Sequence, residues 1–144
     1  MNVYVDSGVL VKLYIREANS AAAIEQVRQY PVIQINRLQE LEIRNTFHAL
    51  EGRKVISSIQ RAAAEHYLEL DCTEGRLHRT AVDWSMVFQS AMEFSRNFTS
   101  DTLARSLDIL HVAAAVQHHC TLFLTGDTRQ ARFARRCGLQ VKNL

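Results

Sequence analysis

Residues 121–127 read TLFLTGD, an apolar run that stops at a glycine–aspartate pair. No other stretch signals a strand as strongly, and a basic segment with helical spacing follows at once. A similar order opens the chain in VYVDSGVLVKLY (residues 3–14), where a short apolar run meets an acid before a helix. Short β-runs alternating with helices pair as parallel strands joined by crossover helices, so the pattern commits the chain to an α/β fold.

Between these two points the spacing predicts a regular alternation. Residues 2–5 read as a strand, and residues 7 or 8 to 15 as a helix carrying Leu10, Leu13 and Tyr14 on one face. A helix over 21–29 is stopped by Pro31, and 32–35 is a second strand. Asn36 is the expected cap of a helix that runs to about residue 51, with Gly52 as its terminator. Residues 57–68 are amphipathic helix, and the polar stretch 70–79, which contains Gly75, has room for a short strand. Helices are expected over 80–94 and 102–118, then the 121–125 strand, a basic helix over 128–137 ended by Gly138, and a last short strand at 139–141. No repeat, linker or low-complexity segment interrupts the sequence, so its 144 residues are expected to form one domain with a sizeable core.

Composition narrows the function classes. A net charge of +2 is too small to argue for nucleic acid by itself. The three cysteines, Cys72, Cys120 and Cys137, are far apart and lack a CxxC pair. That argues against a disulfide framework or a zinc site, and for a reducing, cytoplasmic setting. No apolar run approaches the ~20 residues of a membrane helix, and no signal-peptide pattern opens the chain.

The acids carry the chemical signal. Asp6 follows the first strand and Asp127 follows the 121–125 strand after one glycine. In open parallel sheets, ligands bind beyond the carboxyl ends of the strands, so both carboxylates can share one crevice. Each could also cap its helix, although Ser7 and Thr128 stand beside them as alternative caps. Asp108 lies in SLDILHVAAA, inside an expected buried helix where Asp has poor propensity. It either needs a partner or falls on a solvent stripe. Glu40 and Glu42 open the helix after the second strand, where the helix dipole alone would favour them. Two residues apart, they project about 200° from each other and cannot both face one site. A cluster of carboxylates repels itself unless cations neutralise it, and carboxylate oxygens suit Mg²⁺ or Mn²⁺. No Gly-rich phosphate loop or GxSxG elbow is present, which leaves metal-assisted phosphoryl chemistry.

VYVDSGVLVKLY, ELEIRNTF, RSLDILHVAAA and FLTGDTRQARFARRCGL, in that order from Val3 to Val141, resemble the PIN-domain ribonucleases. The likeness is greatest to the VapC-type toxins of prokaryotic toxin–antitoxin pairs. It implies an α/β/α three-layer sandwich around a short, mainly parallel sheet. It also implies that Asp6, Glu42, Asp108 and Asp127 form the family's acidic quartet, holding Mg²⁺ or Mn²⁺ and activating water against an RNA phosphodiester. Glu42 is preferred to Glu40 because it precedes Ile43-Arg44-Asn45, and Glu40 stays a live alternative. The small hydroxyl residues of the family correspond to Ser7 and to Thr125 or Thr128. Gly126 departs from many members, which carry a larger residue there, and so does Thr46, where relatives often have alanine. Partners implied by the resemblance are the RNA substrate, a small cognate antitoxin and a second copy of the chain.

Arg129, Arg132 and Arg136 recur at i, i+3 and i+7, a stripe able to track phosphates toward Asp127 or simply to face solvent. His111, one turn after Asp108, reads as a structural histidine. Trp84, Met86 and Phe88 read as core or dimer interface. Three rival readings remain. A haloacid-dehalogenase-type phosphatase needs a second acid where this chain has Gly8, a receiver-type signalling domain matches poorly, and a catalytically silent PIN-like binding module would dispense with the quartet.

Overall fold

The first strand, β1 (Val3–Val5), is buried along its whole length, as a strand of a parallel sheet must be when both faces are covered. Its partner is β4 (Leu122–Thr125), equally buried, with Val3 opposite Leu122 and Val5 opposite Leu124. β4 also pairs in parallel with β5 (Gln140–Asn143), giving the strand order β1-β4-β5. The computed structural model describes residues 2–144. These fall into two compact units, one formed by the chain up to Asp6 together with Ala81–Leu144, the other by Ser7–Thr80.

In the first unit, α5 (Trp84–Thr102), α6 (Ser106–Gln117) and α7 (Thr128–Arg136) pack on one another, and α7 packs against β4 and β5. The core joins Tyr4, Val87, Ile109, Val112, Phe123 and Phe133, and Tyr4 stacks on Phe123 with ring centroids 5.2 Å apart. Each buried phenylalanine contributes ~2 kcal/mol of apolar burial. The alanine run of α6 (Ala113, Ala114 and Ala115) is fully buried, so small side chains let the helix sit close to its neighbours. Gly138 ends α7 with φ +94, the left-handed turn expected of it.

The second unit contains α1 (Ser7–Val11), α2 (Ser20–Val27), β2 (Ile33–Ile35), α3 (Arg37–Gly52), α4 (Ser58–Thr73) and β3 (Leu77–Arg79). β2 and β3 pair in parallel, with Ile33 opposite Leu77 and Ile35 opposite Arg79, and the short parallel sheet β1-β4-β5 is the one expected from the sequence. Asn36 caps α3 by accepting from Gln39 N–H at 2.9 Å, and Gln39 returns the bond to Asn36 N–H at 2.8 Å. Ser57 and Gln60 repeat the arrangement at α4.

Several helix boundaries differ from the sequence reading. Gly52 is the last helical residue of α3, and the left-handed turn falls on Lys54 instead (φ 60). α4 runs past residue 68 to Thr73 because no breaker intervenes before Gly75, whose φ is +82. α5 starts later than expected, at an Asp83 cap, and continues to Thr102. Leu103 then adopts φ 56 and breaks the chain, so α6 begins at Ser106 rather than 102.

Candidate active site and nucleic-acid interface

Asp127 sits where β4 turns into α7. Its Oδ1 accepts from Arg129 N–H at 2.8 Å and Gln130 N–H at 3.1 Å, which makes Asp127 itself the helix cap, not Thr128. A second layer fixes the turn. The Thr125 hydroxyl donates to Gln130 Oε1 at 2.7 Å and accepts from Asp127 N–H at 3.0 Å. Both Thr125 and Gln130 are buried, so this pair sets the backbone from which Asp127 projects. Thr125, expected to touch substrate, is therefore beneath the site rather than on it.

Asp6 leaves β1 beside this turn, because Asp6 N–H donates to Leu124 O at 2.9 Å. Asp6 and Asp127 thus emerge at the carboxyl ends of neighbouring parallel strands, the position where α/β sheets bind ligands. Asp108 is not interior to its helix. With α6 beginning at Ser106, Asp108 lies in the first turn and accepts from Arg105 N–H at 3.2 Å. Its low helix-interior propensity is then no penalty, since a first-turn carboxylate is favoured by the helix dipole. Burial, and then the negative charge of Asp127, push the Asp108 carboxyl above its ordinary range, against the pull of the Arg105 N–H.

In the second unit, Glu42 on α3 is half-buried and its Oε1 accepts from the Ser7 hydroxyl at 2.9 Å. Ser7 is the first residue of α1, and its hydroxyl proton is directed to Glu42. Glu40 has a different life. Arg44 and Arg79 grip it at 2.9–3.0 Å, and both arginines also reach Glu69, a four-residue ion network. Hydrogen bonding by Arg79 holds the Glu40 carboxyl below its usual range.

A cavity of about 470 Å³ opens beside Asp127, walled by Leu103, Arg105, Thr128, Arg129 and Arg132. Arg129 and Arg132 of the expected stripe line it. Arg136 does not: it pairs with Asp101 Oδ2 at 3.0 Å and lies 5.2 Å from the centre of the Phe98 ring. His111 is buried and shares a 2.7 Å hydrogen bond with the Tyr4 hydroxyl. Trp84 packs on the core, whereas Met86 and Phe88 are exposed.

Residues 3–136 match the PIN domain family. The chain belongs to the PIN domain family. No curated protein matches this PIN domain. Among solved structures it is similar to FitAcB from Neisseria gonorrhoeae, with a TM-score of 0.66 and 15% identity over 99% of this chain and 97% of that one. At that identity the likeness is one of fold.

The donor set of this PIN domain is hard oxygen, and the Asp127 carboxylate stands at the wall of the cavity, a chemistry that suits a hard divalent cation. Among the described residues, no three His, Cys, Asp or Glu side chains converge into a metal cage. Sequence reasoning missed Gln130, Leu103 and Arg105. Gln130 stands in the quoted TRQ run, but only burial reveals its role. Arg105 and Leu103 fell inside an expected helix, and the break at Leu103 exposes them to the cavity.

Proposed function

We propose that this PIN domain is a metal-dependent endoribonuclease that acts as the toxin of a toxin–antitoxin pair. The observation that carries the reading is the placement of Asp6 and Asp127 at the carboxyl ends of neighbouring parallel strands, with Asp127 at the wall of an arginine-lined cavity. Asp6, Asp108 and Asp127 would hold Mg²⁺ or Mn²⁺, and family resemblance adds Glu42 as the fourth acid. When bound, such an ion supplies charge neutralisation at the scissile phosphodiester and a more acidic water. The chain's own groups do the rest. The caps at Asp108 and Asp127 occupy one oxygen of each carboxylate with backbone N–H donors and fix how the side chain projects. Ser7 orients Glu42. Thr128, Arg129 and Arg132 attract and align phosphates, with products expected to carry 5′-phosphate and 3′-hydroxyl ends.

Partners follow from the same reading. The RNA substrate would enter along the arginines, and a small antitoxin would cover the acids. A homodimer is supported by exposed Phe88 and Met92 on α5, which with Ile109 and Leu110 line an apolar cavity of about 240 Å³. Among the described residues no helix is long and apolar enough to cross a membrane, and a cytoplasmic location is proposed with the toxin role.

The test is cleavage of single-stranded RNA in Mn²⁺, with and without chelator, by the wild type and by Asp6→Asn and Asp127→Asn. Loss of cleavage on chelation and in both variants, with folding intact, is expected. Undiminished cleavage by folded Asp6→Asn sinks the mechanism. The rival is a silent RNA-binding module, and RNA binding without cleavage would establish that instead.

A further inference from the structure

Leu103 occupies an expensive position. It ends α5 with φ 56 and ψ 31, the left-handed conformation that glycine or asparagine adopts with least strain and that costs other residues of order 1 kcal/mol. Glycine fills the left-handed turns at Gly75 and Gly138. Burial does not explain the leucine either, since 68% of it is exposed. The other non-glycine residues with positive φ, Asn19, Lys54 and His119, are polar, as exposed turn residues usually are. Leu103 is the apolar one, and it forms part of the cavity wall beside Arg105, Arg129 and Arg132.

Those arginines are poised for an anion. Arg132 is steadied by donating from Nη2 to the Asp101 carbonyl at 3.2 Å, which leaves other donors of the guanidinium uncommitted. Arg105 and Arg129 make no ion pair among the described residues. An apolar side chain set among cations around one cavity matches a ligand with an anionic group and a flat apolar face close together. A nucleotide of single-stranded RNA has that chemistry.

Resting on the ribonuclease reading, we infer that this cavity is a nucleotide subsite: Arg105, Arg129 and Arg132 hold a phosphate flanking the cleaved bond, and Leu103 packs on the base of that nucleotide. Leu103 is thus a substrate-binding residue, held at a strained backbone position where its side chain meets the base. Arg105 joins the substrate-binding arginines.

The experiment measures equilibrium binding of a random-sequence single-stranded RNA pool by fluorescence anisotropy, at several salt concentrations, alongside thermal unfolding. Leu103→Asn and Leu103→Gly both accept the left-handed backbone. Each is expected to bind the pool about three- to tenfold more weakly, with unchanged salt dependence and a Tm equal to or above the wild type. Arg105→Ala should flatten the salt slope by about 0.7, one phosphate contact on a single strand. An abasic ribose-phosphate strand should bind wild type and Leu103→Asn equally. Unchanged binding in both Leu103 variants overturns the proposal, as does weakening that tracks a lowered Tm, or equal weakening on the abasic strand. Absence of RNA binding by the wild type also overturns it. Binding that depends on Leu103 without metal-dependent cleavage supports the subsite while overturning the nuclease reading, so the two stand or fall separately.

Discussion

The Ser7 hydroxyl donates to Glu42 at 2.9 Å, whereas Glu40, one residue pair earlier on α3, is gripped by Arg44 and Arg79. Two glutamates that the sequence could not separate therefore have different partners. Glu42 accepts from a hydroxyl, and Glu40 is paired with two guanidinium groups. Glu42→Gln is expected to abolish most RNA cleavage, and Glu40→Gln to leave the turnover rate nearly unchanged while lowering stability. Ser7→Ala removes one donor from Glu42 and should cost about tenfold in activity, as outer contacts of a metal ligand do. Steady-state cleavage in Mn²⁺ measures all three.

Asp127 serves as cap and as candidate ligand, and two substitutions separate the roles. Asparagine caps a helix as well as aspartate, but carries no charge. Asp127→Asn should unfold at the wild-type denaturant concentration yet fail to cleave RNA. Asp127→Ala should fail to cleave and also lose about 1 kcal/mol of stability. Urea unfolding with a parallel nuclease assay checks both, and full activity in Asp127→Asn would remove Asp127 from the chemistry.

The Thr125–Gln130 hydrogen bond is buried, so breaking it from one side is costly. Gln130→Leu leaves the Thr125 hydroxyl without its acceptor and should destabilise by about 2 kcal/mol. Adding Thr125→Val should cost less than the sum of the single changes, because the orphaned group is gone. A double-mutant cycle in urea reads the coupling.

Acid should weaken the Ser7–Thr80 unit through Glu40. Its carboxyl is held below the ordinary glutamate value of 4.5, first by the Arg79 hydrogen bond. A depressed folded-state pKa adds stability above the unfolded value, and that stability is lost as pH falls through the folded one. The wild type and Glu40→Gln should therefore differ most at neutral pH and converge as the pH drops below about 4. Thermal unfolding across that range tests it, and a constant gap would refute the role of the ion network.

The alternation of short strands and helices was legible because short apolar runs such as TLFLT, helical spacing and the Asn36 and Gly138 signals are local. The PIN resemblance rested on the same kind of local runs, and the family match spans most of them. What stayed hidden was decided by tertiary partners. Nothing local shows that a leucine would take the left-handed conformation at 103, and that break moved Asp108 from an awkward mid-helix site to a first turn. Thr125 and Arg136 looked accessible in sequence, yet one is buried and the other is bound to Asp101. The pairing of β2 with β3 likewise depends on register that no strand's composition reveals.

The pairing of β1 with β4 also sets when this molecule can work. Val3–Val5 leave the ribosome long before Leu122–Thr125 exist, so the first strand has no ladder partner for most of synthesis. Such sequence-distant closure is slow, because the loop entropy is met before the contacts form. Asp6 and Asp127 hang from that one closure. A nascent or prematurely terminated chain that stops short of Leu122 lacks the strand end on which both acids depend, so a cell meets the finished site only after β4 is made.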